Sequence, residues 1–157
     1  MDKIYIGKIV NTHGVKGELR IRSNFEFKDK VFKINNKLII GDKEYNIRSY
    51  RKHKTFDMVC LDEYTNINDV LFLVGNKVYF DKEKLGLSND EEIDKDLLEY
   101  KVIIGESEGR VEEVMDTGNN KVLRVFTDRE YLVPYNEAFV KIDRSKKEIN
   151  ISVIDGM

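Results

Sequence analysis

The chain has 157 residues and a formal net charge of −2, and its 41% hydrophobic and 10% aromatic residues indicate one or two folded domains. A single cysteine excludes an intrachain disulfide and a four-cysteine zinc site, and only two histidines, His13 and His53, exclude a three-histidine metal centre. Neither a membrane-spanning apolar stretch nor a secretory signal can be read, so we expect a cytoplasmic protein with no membrane partner. We also expect no metal and no other cofactor.

Short strands separated by Gly, Asn and Asp dominate the first half of the chain. One of them alternates strictly, which places Leu19 and Ile21 on one face of the strand and its charged residues on the other. A capping residue, Asn66, and a terminating glycine, Gly75, bound one short helix. The strands predicted here are Ile4–Val10, Glu18–Arg22, Lys37–Ile40, Glu44–Arg48, Asp57–Leu61 and Lys77–Phe80.

The character of the sequence changes over residues 83–95, where no strand or helix period persists and acidic residues cluster. We interpret this segment as a solvated acidic linker. Short strands then resume at the spacing typical of small barrels or sandwiches, so the predicted fold is all-β, with barrels over residues 1–82 and 96–157. The strands predicted here are Tyr100–Ile104, Arg110–Met115, Val122–Phe126, Glu130–Pro134 and Ile149–Val153.

Two basic segments are candidates for phosphate binding. The first surrounds Gly14-x-x-Gly17, which is typical of a tight turn with positive φ; the alternative is backbone contact with a ligand. The second is a loop from Arg51 to Lys54. If barrel closure brings the two together they form one phosphate-facing patch, and otherwise they are separate solvated turns. The candidate RNA-binding residues are Lys8, His13, Gly14, Lys16, Gly17, Arg20, Arg22, Arg51, Lys52 and Lys54.

Sequence motifs for catalysis are absent: there is no Walker loop, no GxGxxG and no Gly-x-Ser-x-Gly. We therefore predict no catalytic residues, and an enzyme that uses His13 or His53 is the poorest of the alternatives.

The small net charge hides an asymmetry between the two halves. Residues 1–82 carry 16 Lys and Arg against 11 Asp and Glu, whereas residues 83–157 carry 11 against 18. This split favours a phosphate-bearing partner for the first half and a basic protein for the second. The alternative is ordinary variation in the charge of a solvated surface.

The opening segment, Ile6–Ile21, resembles that of the RimM family of ribosome maturation factors, in which a glycine-plus-basic strand precedes a His-Gly-x-x-Gly-Glu turn. One departure is that the family's tyrosine pair, just before an Asp-Leu, falls here on Glu92 and Ile93. The resemblance spans nearly the whole chain. Its other segments are Arg51–Lys54, Asn66–Gly75, Gly118–Leu123, Leu132–Tyr135, Phe139–Asp143, Ile149–Ile151 and Asp155–Met157.

The resemblance implies an N-terminal barrel like the second domain of translation elongation factors, joined to a C-terminal PRC barrel. It implies a non-catalytic factor that binds the head of the immature small (30S) ribosomal subunit, promotes maturation of the 16S rRNA 3′ domain and contacts the basic small-subunit protein number nineteen. The alternative is a PRC-barrel adaptor that binds a protein and no RNA. We expect a monomer, because an adaptor needs both faces free. The candidate protein-binding residues are Glu91, Glu92, Ile93, Asp94, Tyr100, Pro134 and Tyr135.

Overall fold

Two six-stranded sheets make up most of the regular structure of the chain. The structure is a computed structural model that describes residues 2–157. It divides into two compact units, an N-terminal one that ends at Gly86 and a C-terminal one from Leu87 to Met157. The predicted all-β fold is confirmed, and the N-terminal sheet closes into a barrel.

The N-terminal unit is a closed barrel with the strand order β1-β2-β5-β4-β3-β6. Its two short helices are α1 (Lys28–Val31) and α2 (Ile67–Val70), and 3₁₀ turns follow at Leu71–Leu73 and Lys82–Leu85. The strands are β1 (Lys3–His13), β2 (Glu18–Arg22), β3 (Lys37–Ile40), β4 (Lys43–His53), β5 (Phe56–Leu61) and β6 (Lys77–Asp81).

The barrel interior follows from alternation along its strands. Leu19 and Ile21 are fully buried, as predicted, while the charged residues of β2 face outward. Bulges interrupt the pairing of β1 with both of its neighbours, which lets this long strand bend around the barrel. At α2 the Asn66 side chain accepts a hydrogen bond from the Asn68 N–H at 2.9 Å, which confirms the predicted cap.

The C-terminal unit is a six-stranded sheet in the order β10-β9-β8-β7-β12-β11, in which β7 and β12 pair in parallel. A 3₁₀ helix, Asp94–Glu99, precedes the first strand and buries Leu97 against the core of the unit. The strands are β7 (Lys101–Ile104), β8 (Ser107–Asp116), β9 (Lys121–Phe126), β10 (Glu130–Pro134), β11 (Val140–Asp143) and β12 (Glu148–Ile151).

The structure differs from the sequence-based expectations in three places. Strand β4 runs on to His53, so Arg51 to His53 belong to a strand and not to a loop. Helix α1 was not predicted. The interpretation of residues 83–95 as a solvated linker is wrong for Glu92 and Ile93, which are both buried. No helix among the described residues is long and apolar enough to cross a membrane.

Candidate nucleic-acid and protein-binding surfaces

Barrel closure brings the two basic segments together. Strand β5 pairs with both β2 and β4, so the β1–β2 hairpin lies beside the β4–β5 hairpin. At the ends of these hairpins the rings of His13 and His53 lie 5.8 Å apart between centroids. The two segments therefore form one surface, which we call the hairpin surface. Its basic residues are His13, Lys16, Arg20, Arg51, Lys52, His53 and Lys54.

The two arginines of the hairpin surface are held in place by neighbours within the barrel. Arg51 donates to both carboxylate oxygens of Glu18, at 2.9 and 2.7 Å, a bidentate geometry that favours a fixed orientation. This hydrogen bonding lowers the pKa of Glu18 below its ordinary value against the opposing effect of burial. Arg20 places its guanidinium 5.1 Å from the centroid of the Phe56 ring and 3.2 Å from His13 Nδ1. These arginines thus join the two hairpins.

Three lysines of the hairpin surface are exposed and have no partner. The side chains of Lys16, Lys52 and Lys54 form no hydrogen bond or ion pair with any other of residues 2–157. Their charge is available to an external anion, and lysine binds phosphate as a point charge that carries no sequence information.

The electrostatic field of the surface is evident at His53. Its pKa is lowered below the ordinary histidine value, first by partial burial and then by the positive charges of Arg51 and Lys54. A phosphate bound between the hairpins would oppose that field. The arrangement is therefore complementary to an anion.

The glycines of the first hairpin confirm the tight-turn interpretation. Gly14 and Gly17 have φ values of +77° and +81°. A Cβ at Gly17 would lie 3.0 Å from the Asn66 carbonyl oxygen, and the Ile67 N–H donates to the Val15 carbonyl at 2.9 Å. Gly17 is buried against this segment, so its role is to anchor the turn on α2, whereas Gly14 is exposed.

Two other candidates lie farther along the barrel wall. Lys8 of β1 and Arg22 of β2 are direct partners in the β1–β2 ladder, and both are exposed. Lys77 of β6, absent from the predicted residues, lies opposite Lys8 on its other side. Lys77 lies there because β1 pairs with β6, and no local sequence pattern predicts that pairing.

Three of the candidate protein-binding residues are interior. Glu92 is 5% exposed and accepts hydrogen bonds from the Tyr100 hydroxyl at 2.9 Å and from the Ile93 N–H at 3.0 Å. Arg144 Nε lies 3.5 Å from the same carboxylate. Burial and the bond to Glu92 raise the pKa of Tyr100 above its ordinary value. Glu92, Ile93 and Tyr100 therefore form no contact surface and tie the start of the unit to its core.

The remaining candidates are more accessible. Asp94 and Tyr135 both lie at Lys121, whose Nζ is 2.5 Å from Asp94 Oδ2 and 5.6 Å from the centroid of the Tyr135 ring. Pro134 is paired with Val122 next to them. The Glu91 carboxylate accepts from the Ser88 hydroxyl at 2.7 Å. The structure thus gathers Asp94, Pro134 and Tyr135 into one half-buried cluster, which we call the Lys121 cluster.

Comparison with known proteins gives matches over nearly the full chain. A family model described as the RimM N-terminal domain matches residues 4–85. The ribosome maturation factor RimM of Staphylococcus saprophyticus is 38% identical, over 99% of this chain and 98% of that protein. The same factor from Staphylococcus aureus strain RF122 is 34% identical with the same coverage.

Two solved structures are also similar to this chain. A 16S ribosomal RNA processing protein RimM from Pseudomonas aeruginosa is 23% identical, with a TM-score of 0.49 over 99% of this chain and 100% of that one. The N-terminal domain of RimM from Thermus thermophilus is 22% identical, with a TM-score of 0.49 over 55% of this chain and 98% of that one. The family assignment does not depend on these two structures. The family model and the full-length relatives show that this chain belongs to the RimM family of ribosome maturation factors.

Proposed function

We propose that the chain is a non-catalytic assembly factor that binds the head of the immature small ribosomal subunit in the cytoplasm and promotes maturation of the 16S rRNA 3′ domain. The observation that carries this proposal is the convergence of the two hairpins, which places three unpaired lysines on one surface. The name shared by the relatives, ribosome maturation factor, supports the same role.

The two units divide the contacts by charge. The hairpin surface meets rRNA phosphates, to which its free lysines bind without reading sequence. The acidic C-terminal unit contacts the basic small-subunit protein number nineteen through the Lys121 cluster and Glu91. Selectivity comes from engaging both partners at once, because the second contact is then intramolecular. A monomer suffices for this arrangement.

Neutralising the free lysines tests the RNA contact. The triple variant Lys16→Gln, Lys52→Gln, Lys54→Gln is expected to bind purified small subunits roughly 10- to 100-fold more weakly, because up to three phosphate contacts are lost. The slope of log affinity against log salt should fall by about 2. Co-sedimentation at several salt concentrations measures both quantities.

A matched control removes the same charge from another part of the barrel. The variant Lys33→Gln, Lys37→Gln, Lys43→Gln changes three exposed lysines outside the hairpin surface and should bind nearly as the unaltered protein. Equal weakening in both triples would contradict a defined RNA surface. Undiminished binding by the first triple would instead favour an adaptor that contacts protein and no RNA.

The protein contact is tested at Tyr135. The variant Tyr135→Ala is expected to weaken binding to isolated small-subunit protein number nineteen by about 30-fold, as for a central aromatic residue of an interface. Titration calorimetry measures this, and an unchanged circular dichroism spectrum shows that the fold persists. The control is Phe126→Ala, at the opposite end of the β9–β10 ladder, where the aromatic side chain is 43% exposed. A loss confined to the Phe126 variant would refute the assignment.

A further inference from the structure

Three cations lie in register on the outer wall of the barrel, away from the hairpin ends. Lys8 of β1 is paired with Arg22 on one side and with Lys77 on the other. All three side chains are exposed, and none of them forms a hydrogen bond or ion pair within the described chain. Adjacent strands are about 4.8 Å apart, so the row spans about 10 Å. Like charges directly opposite one another destabilise a sheet, so a bound anion would relieve the repulsion within this row.

An open groove of about 320 Å³ lies beside the row, near the lower limit for small-ligand sites. Tyr5 in this groove is 53% exposed although it is aromatic, and its ring makes an edge contact with Tyr79 at 5.9 Å between centroids. An exposed, positioned ring beside unpaired cations is the combination that binds single-stranded nucleic acid. The groove is lined by Tyr5, Ile6, Gly7, Lys8, Arg22, Asn24, Phe25 and Glu26.

The groove is formed before any ligand binds. The buried Ser23 hydroxyl donates to the Ile6 carbonyl at 2.5 Å and accepts from the Phe25 N–H at 3.2 Å, which fixes the segment after β2 against β1. Gly7 permits this approach, because a Cβ there would lie 2.6 Å from the Arg22 carbonyl oxygen. A ligand therefore does not have to order these walls, which favours binding.

We propose that this groove binds one unpaired nucleotide of single-stranded RNA, with its phosphate on Lys8 and Arg22 and its base stacked on Tyr5. This site rests on the proposed function but is separate from the hairpin surface. Glu26 also lines the groove, and its carboxylate disfavours a phosphate beside it. An acidic peptide would satisfy the cations but would leave the exposed ring without a stacking partner.

The test uses the full chain and a fluorescein-labelled single-stranded octauridylate, with anisotropy as the readout. Tyr5→Leu is expected to weaken binding roughly 5- to 100-fold, while Tyr5→Phe retains it, because the loss comes from stacking on the ring. Lys8→Gln should lower the slope of log affinity against log salt by about 0.7. Lys33→Gln, a charge-matched change at another exposed lysine of the barrel, should leave affinity nearly unchanged.

Three results would overturn the groove assignment. They are unchanged octauridylate binding by Tyr5→Leu, tighter binding of an eight-base-pair RNA duplex than of the single strand, and binding of octaglutamate as tight as that of octauridylate. The two assignments can be tested independently. If the triple variant of the hairpin surface binds small subunits normally while Tyr5→Leu no longer binds octauridylate, the groove assignment is supported and the hairpin assignment is wrong. If Tyr5→Leu binds octauridylate normally while the triple loses subunit binding, the groove assignment falls and the hairpin surface stands.

Discussion

Replacing Gly109 by alanine is expected to lower the free energy of unfolding of the C-terminal unit by about 4 kcal/mol or more. An added Cβ would lie 1.7 Å from the carbonyl oxygen of Phe126 and 2.8 Å from the Cα of Thr127. Both are backbone atoms at the end of strand β9, so no rotation of a side chain relieves the clash. The β8–β9 ladder must separate there, and its hydrogen bonds are lost with it.

Hydrogen exchange followed by mass spectrometry, at increasing urea, localises this effect. Exchange should accelerate in the peptides of β8 and β9 and far less in those of the N-terminal barrel. The control is Gly105→Ala, where φ is +60° but nothing lies within 4 Å of the new Cβ, so the expected cost is about 1 kcal/mol. Similar stabilities for the two variants would contradict the close approach at Gly109.

The second large effect is expected at Asp57 in the N-terminal barrel. Asp57 is completely buried, accepts a hydrogen bond from the Tyr50 hydroxyl at 2.6 Å and lies 2.8 Å from Lys28 Nζ. It therefore joins helix α1 to strand β4. Asp57→Ala leaves the hydroxyl and the ammonium without their acceptor and should cost about 3 kcal/mol, at the lower end of the usual range because Lys28 is partly solvated.

Chemical denaturation followed by circular dichroism measures this cost. The double variant Lys28→Met with Asp57→Asn should be more stable than Asp57→Ala, because it leaves no unpaired ammonium and the asparagine still accepts from Tyr50. If the double variant is instead the less stable one, the role assigned to the buried pair is wrong. Tyr50→Phe should cost about 2 kcal/mol, as expected for one hydrogen bond to a charged group.

Local patterns in the sequence predict the strands well. Alternation at Leu19 and Ile21, the Asn66 cap and the terminating Gly75 each depend on a few neighbouring residues, and each is found in the structure. Helix α1 has no such signal. It begins after Phe27, which makes no side-chain capping hydrogen bond, and a single turn is too short to show a helical period.

The parts of the candidate sites that sequence could not predict depend on long-range pairing. The hairpins converge because β5 lies between β2 and β4. The positive charges of Lys16 and Lys54 do not reveal whether this pairing occurs. From the sequence, Glu92 is interpreted as part of an acidic linker, because its partners Tyr100 and Arg144 contact it only in the folded unit. Its burial corrects the proposed protein-binding surface.

The pairing of β1 with β6, and of β7 with β12, determines the order in which the two units fold during translation. Each unit joins its earliest strand to one near its far end, so neither gains its full core until that distant strand has emerged. The barrel can close once Asp81 has left the exit tunnel, whereas the second unit must await Ile151. The surface proposed to meet RNA is therefore complete while the one proposed to meet protein is still being synthesised.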